Sequence, residues 1–387
     1  MNIGRCTKFA AVLAIVALIV GFSACDQAQQ LLFPAPPETG LPDEVIIGVS
    51  LPLDDENGPL YGLPMKRGFE LAQAELNHYG GPQISFIIED DRSTIEGAKA
   101  ALNKLIHQDG VSIITGITFS TQLRALAPII EENGVVCYSS VSSAAGLSAL
   151  SDFIFRTGLP TNVLNPAGIQ ASQEKLGYQR AALIYDEADV YSTSSNEEVT
   201  KALAASGVEI VITETIQTDG TDFRQQLTRI METNPDAVFI SALSAQMTDL
   251  MIQGREVGIP TSITYIVPDL TGNEVQIAGE AAEGAITFTN WSAMADTPGN
   301  QDFVARYKAK YGIDADPWAA QSYATLYILA EAIANAQSTE ATAVRDELAK
   351  IMDFPTVMGN FSFDEVGDAV YDPIILTVEN GELVAFE

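Results

Sequence analysis

From Glu44 onward the chain alternates short apolar, β-rich runs with longer stretches whose apolar residues recur every three to four positions. The short runs are "VIIGVS", "QISFIIE", "VSIITGI" and "GVVCYS". Between them lie "MKRGFELAQAELNHYG", "IEGAKAALNKLIHQD" and "TQLRALAPIIEENG". Short runs bounded by turn residues fit buried strands, and the longer spacing fits helices with one apolar face. Ser93 and Glu96 stand in capping-box spacing ahead of the second helical stretch. The acidic "EDDRS" therefore reads as a strand end entering a capped helix. A second series, "RAALIYD", "GVEIVITET", "DAVFISA" and "ITYIVPD", repeats the alternation. Strands alternating with helices predict parallel sheets with right-handed crossovers. Two such series, in a body longer than single cores usually reach, predict an α/β molecule of two doubly wound lobes. Each lobe would bind at the carboxyl ends of its strands.

The amino-terminal pattern differs. Phe9 to Ala24 is an apolar run of 16 residues preceded by Arg5 and Lys8, short against the roughly 20 residues a membrane span needs. A charged start, an apolar middle and the small residues Ser23 and Ala24 describe an export signal over residues 1–24. Their place before Cys25 resembles the lipobox of bacterial lipoproteins, which implies lipidation of Cys25 and a cell-membrane location outside the cytoplasm. Asp26 resembles the signal that retains such lipoproteins on an inner membrane. Residues 25–42 then form a Gln- and Pro-bearing tether with a reach of roughly 50 Å at about 3.1 Å per residue.

Composition narrows the chemistry. The 51 acidic residues outweigh 20 basic ones, for a net charge of −31, which argues against nucleic-acid partners. Of three cysteines, Cys6 leaves with the signal and Cys25 carries lipid. Cys137 remains alone in a buried strand and cannot form an internal disulfide. His78 and His107 are the only histidines, so no zinc-type cluster can be assembled. There is no GxSxG elbow, phosphate-binding loop or HExxH motif, and "DADPW" and "TDGTDF" lack calcium-loop spacing. No enzyme, metal or cofactor is expected.

Two successive turns are rich in hydroxyls. "ITGITFSTQL" ends a strand near Ile117 and starts a helix near Ser120; "VCYSSVSSAAGL" offers Ser142 or Ser143 as the next helix start. Helix starts carry free N–H groups suited to a carboxylate, although plain capping is the ordinary use of Ser and Thr there. In the second series, "YDEADVYS" presents Tyr191 after a strand end, and "YIVPDLTGN" presents Asp269, where a carboxylate could hold a cation. Opposite characters on two lobes suit a zwitterion such as an α-amino acid. Tyr61 and Trp318 could form apolar walls, or equally belong to the core.

Taken in order, "YGLPMKRGFELAQAELN", "IIEDDRS", "GTDFRQQLTRI", "GEAAEGAITFT" and "GNFSFDEVGD" resemble the substrate-binding proteins of bacterial branched-chain amino-acid ABC importers, the leucine/isoleucine/valine-binding type. The resemblance runs from about Val45 to Phe386. It implies the periplasmic binding protein type I fold: two lobes joined by three crossovers, near Leu159, Asn290 and Gly359. The first lobe would comprise residues 43–159 plus 290–358, and the second 160–289 plus 359–387, with the last segment returning to the second lobe as hairpin strands. It also implies that Ser120 and Ser143 hold a ligand carboxylate with help from the Val141 backbone. Asp269 would hold the ammonium, Tyr191 would close over the ligand, and Tyr61 and Trp318 would line the pocket. The implied partners are an amino acid or analogue, an ABC permease and the membrane through the lipid anchor, with the protein monomeric. Thr161, Ser192 and Leu243 depart from relatives, and a disulfide found in some of them is absent. The amino-acid frame is kept while the side-chain preference is left open. A ligand-sensing lobe for an amide, urea or aromatic acid, without transport, is the alternative.

Overall fold

The computed structural model describes residues 40–79 and 82–386. Cys6, the signal over residues 1–24, the lipidation site Cys25 and most of the tether lie outside the described residues. Among the described residues, no helix is long and apolar enough to cross a membrane, and no group of His, Cys, Asp and Glu is placed to hold a metal.

The first sheet contains β1 (Glu44–Leu51), β2 (Gln83–Asp90), β3 (Ile113–Gly116), β4 (Val136–Ser139) and β5 (Ile154–Arg156). Its order is β2-β1-β3-β4-β5, with every pairing parallel. The second sheet begins with β6 (Arg180–Asp186), β7 (Glu209–Ile216), β8 (Ala237–Ser241), β9 (Thr264–Ile266) and β10 (Ile286–Thr289), parallel in the order β10-β9-β8-β6-β7. Strand order therefore reverses beside β1 in one sheet and beside β6 in the other. At such a switch point the strand ends diverge and leave a crevice. Each sheet has its own core. Leu102, Ile114, Leu123 and Ile130 serve the first, and Ile184, Val238, Ile240 and Leu250 the second; all are 1 % exposed or less. Full burial contributes about 1.5–3 kcal/mol for each such side chain. Cys137 is fully buried in the first core, and burial pushes its thiol up to about 12.

Three local expectations are corrected. Thr94, not Ser93, caps the helix Ile95–His107, accepting from Gly97 N at 2.9 Å; Ser93 instead sits at φ +55 with its N–H on Asp91. Ser142 and Ser143 open no α-helix, because the chain passes through a loop to the short turn Ser148–Leu150. The segment from Gly359 was expected in the second lobe. Its strand β12 (Gly359–Phe363) pairs with β11 (Phe354–Thr356) and β13 (Ala369–Val370) in a separate three-stranded sheet. Phe363 packs edge-to-face against Tyr138 and Phe155 of the first sheet, and Asp368 pairs with the fully buried Arg156. Those contacts hold the segment beside the first lobe. Only β14 (Ile374–Glu379) and β15 (Glu382–Ala385) join the second sheet, as antiparallel strands beyond β10.

Helix Leu63–Tyr79 packs along helix Pro317–Ala336, and Gly68 makes the close approach possible. A Cβ there would lie 2.2 Å from the Ala319 carbonyl oxygen. This contact fixes both helix starts, and with them Tyr61 and Trp318.

Candidate functional site

Strand ends from both sheets converge on one cavity. Thr118, Phe119 and Ser120 follow β3; Val141, Ser142 and Ser143 follow β4; Tyr191 follows β6. Ala242, Leu243 and Ser244 follow β8, and Asp269 follows β9. Tyr61 and Trp318 add aromatic walls. All seven non-lipid residues singled out in the sequence thus line the same space. Its volume is about 40 Å³, room for roughly three waters at 10–15 Å³ each. An amino acid of leucine's size therefore enters only as the lobes or lining side chains give way.

The first lobe supplies donors. Ser120 begins the helix Ser120–Asn133, whose first-turn N–H groups lack helical partners. Its Oγ accepts from Ala144 N at 3.1 Å, which leaves its own hydrogen to donate. Ser142 is structural: its Oγ bonds Ser139 Oγ at 2.6 Å and Ile117 O at 2.9 Å, locking the two turns together. Ile117 itself is held at φ +48, a costly conformation for a β-branched residue. Its N–H donates to Ser50 O, and its carbonyl accepts from the Ser139–Ser142 hydroxyl pair, whose two hydrogens are shared between that carbonyl and each other. Arg156 braces the same loop from beneath. Its Nη1 donates to Ala144 O at 2.6 Å and Ser142 O at 3.2 Å, and its Nε donates to Asp368 Oδ1 at 2.9 Å.

The second lobe supplies a carboxylate. Asp269 is 7 % exposed with φ +59, and burial pushes its carboxyl up to about 7. Tyr191 Oη donates to its Oδ2 at 3.3 Å, and Asn290 Nδ2 to its Oδ1 at 2.9 Å. Both bonds favour the ionised form, but burial outweighs them. A ligand ammonium would restore the charge that burial opposes. Nearby Glu274 is not free for that role, since its carboxylate closes a capping box with Thr271.

Bonds between the lobes hold this geometry. Tyr61 Oη receives Ser244 N at 2.9 Å and Ser244 Oγ at 2.7 Å. Thr121 Oγ1 donates to Asp189 Oδ2 at 2.8 Å and receives Val190 N at 3.0 Å, while Ala145 N donates to Ser194 Oγ at 2.9 Å. Sequence reasoning missed Ser244, Phe119, Met247, Arg156 and Asn290. Phe119 lies within a turn already flagged and Ser244 follows the strand run "DAVFISA", but nothing local marks either as lining; Arg156 and Asn290 acquire their roles from partners far along the chain. The buried indole N–H of Trp318 has no acceptor among the described residues.

Known proteins share this fold. The Leu/Ile/Val/Thr-binding protein of Salmonella typhimurium is 28 % identical over 320 residues, covering 81 % of this chain and 86 % of that protein. The crystal structure of a branched-chain amino acid transporter substrate-binding protein from Streptococcus pneumoniae, in complex with isoleucine, superposes with a TM-score of 0.81 at 25 % identity, covering 88 % of this chain and 98 % of that one. A solute-binding protein of an ABC transporter from R. palustris, in complex with benzoate, shares the fold with a TM-score of 0.81 at 22 % identity, covering 89 % of this chain and 95 % of that one. Residues 44–382 match the periplasmic binding protein family across both sheets. By that match, and by a binding cleft built from the strand ends of two doubly wound lobes, the chain belongs to the periplasmic binding protein family.

Proposed function

We propose that this protein captures an α-amino acid of the branched-chain or related aliphatic class outside the cytoplasm and delivers it to an ABC permease. One observation carries the reading: donors at Ser120 and Ser143 share a cavity with the buried carboxylate of Asp269. A zwitterion matches both ends at once. The first lobe, with Val141 assisting, takes the carboxylate; Asp269 takes the ammonium, Tyr191 covers it, and Tyr61 and Trp318 enclose the side chain. Contacts divided between two lobes give the ligand differential affinity for the closed form, which is what drives closure. Such a receptor acts as a monomer held to the membrane through Cys25, with no catalytic step and no cofactor. The names of the relatives support the ligand class, and the unpaired Trp318 indole N–H is a donor for a side-chain hydroxyl such as threonine's.

A thermal-shift panel of L-leucine, L-isoleucine, L-valine, L-threonine, urea, acetamide and benzoate tests the proposal. A ligand that binds only the native state raises its melting temperature by mass action. Shifts confined to amino acids are expected; a shift with benzoate or urea and none with amino acids would contradict the reading.

A further inference from the structure

Asn290 follows β10, where the chain leaves the second sheet, and is 2 % exposed. Its amide is used at both ends. Nδ2 donates to Asp269 Oδ1 at 2.9 Å. Oδ1 receives Leu159 N at 2.8 Å and Tyr371 Oη at 3.0 Å. Tyr371 Oη also lies 2.9 Å from Thr157 O; with one hydrogen, it donates to one of these acceptors at a time. Leu159 lies between β5 and β6, and Tyr371 lies between β13 and β14. The residues meeting at Asn290 therefore come from all three passages of the chain between the lobes. The amide has only one workable orientation. A backbone N–H can only donate, so the carbonyl of Asn290 must face Leu159 and its NH₂ must face Asp269.

We infer that Asn290 is a positioning residue that ties the Asp269 carboxylate to the three connecting segments, so that the ammonium subsite and the hinge shift as one hydrogen-bonded unit. The inference rests on the reading of Asp269 as the ammonium's partner. Ligand that draws Asp269 toward its ammonium pulls on Asn290, and through it on Leu159 and Tyr371. The groups facing Asp269 are Tyr191 and Asn290 by hydrogen bond, with Glu274 and Tyr371 acting electrostatically at longer range.

Calorimetric titration of L-leucine, L-isoleucine, L-valine and L-threonine from pH 5 to 9 tests this on the parent protein, Asn290→Asp and Tyr371→Phe. Asn290→Asp keeps the acceptor for Leu159 and Tyr371 but sets a second carboxyl against Asp269, where the pair must share a proton. The pH at which affinity reaches half its plateau is expected to rise by at least one unit. Tyr371→Phe keeps the Asp269–Asn290 bond and removes one hinge bond. Affinity is expected to fall about three- to tenfold at every pH, with the midpoint unmoved. A folded Asn290→Asp with the parent's midpoint overturns the inference, as does Tyr371→Phe with the parent's affinity; if Asn290→Asp fails to fold, the Tyr371→Phe arm decides. A parent that binds none of the four amino acids overturns the reading of the site and the inference with it. A parent that binds beside unaltered variants overturns the inference alone.

Discussion

Asp269 combines a left-handed backbone, near-complete burial and a carboxyl held at about 7. Binding an ammonium requires its ionised form, so below pH 7 ligand must first displace a proton. Affinity is predicted to fall as pH drops from 7 to 5, by up to tenfold per unit, with proton release visible as buffer-dependent calorimetric heats. Without ligand the sign reverses. The unfolded carboxyl ionises near its ordinary value of 3.8, while the folded one holds its proton up to about 7. Each pH increment across that window therefore costs native stability. Asp316, half-buried at its helix start and also raised to about 7 by loss of hydration, acts in the same direction. The ligand-free protein should melt higher at pH 5 than at pH 8 in thermal scans, and equal melting temperatures would count against both assignments. Asp269→Asn should weaken amino-acid binding more than tenfold while leaving the fold intact by circular dichroism. This residue was legible in the sequence because "YIVPD" ends a strand run at a turn. Ser143 was legible for a reason that failed, since it lines the cavity from a loop and starts no helix. The resemblance put a crossover near Asn290 but gave no sign of its bonds, because its partners are 21, 81 and 131 residues away in the chain.

Among the elements, long periodic runs declared themselves, and "RAALIYD" coincides with β6 end to end. β5 did not: three residues are too few to show a period. β12 reads as a hairpin strand and is one, but which lobe it joins depends on Phe363 meeting Tyr138 and Phe155, which no local pattern encodes. The approach at Gly68 was equally silent. Because a Cβ there would press on the backbone of Ala319 rather than on a yielding side chain, Gly68→Ala is predicted to cost about 1–3 kcal/mol by overpacking. Denaturant titration would show it, along with altered tryptophan emission as Trp318 shifts; an unchanged midpoint would mean the helices part without penalty.

In the whole molecule, bonds of Tyr61 to Ser244, Thr121 to Asp189 and Ala145 to Ser194 cross between the lobes, so each should matter to closure. Tyr61→Phe removes the acceptor for both Ser244 bonds. It is predicted to weaken ligand binding several-fold and to enlarge the radius of gyration of the liganded protein in small-angle scattering. Cys25→Ala should move the protein from the membrane fraction to the soluble one in its host, if lipid at that sulfur is what holds it. The cavity's donors and carboxylate call for opposite charges at two ends of one small molecule, and calorimetry on matched compounds can separate the two charges. L-leucine, 4-methylpentanoate and 3-methylbutylamine share a side chain but carry both charges, only the negative or only the positive. L-leucine alone should bind measurably, with each one-charge analogue weaker by at least a hundredfold. Equal binding of 4-methylpentanoate and L-leucine would contradict the need for both charges.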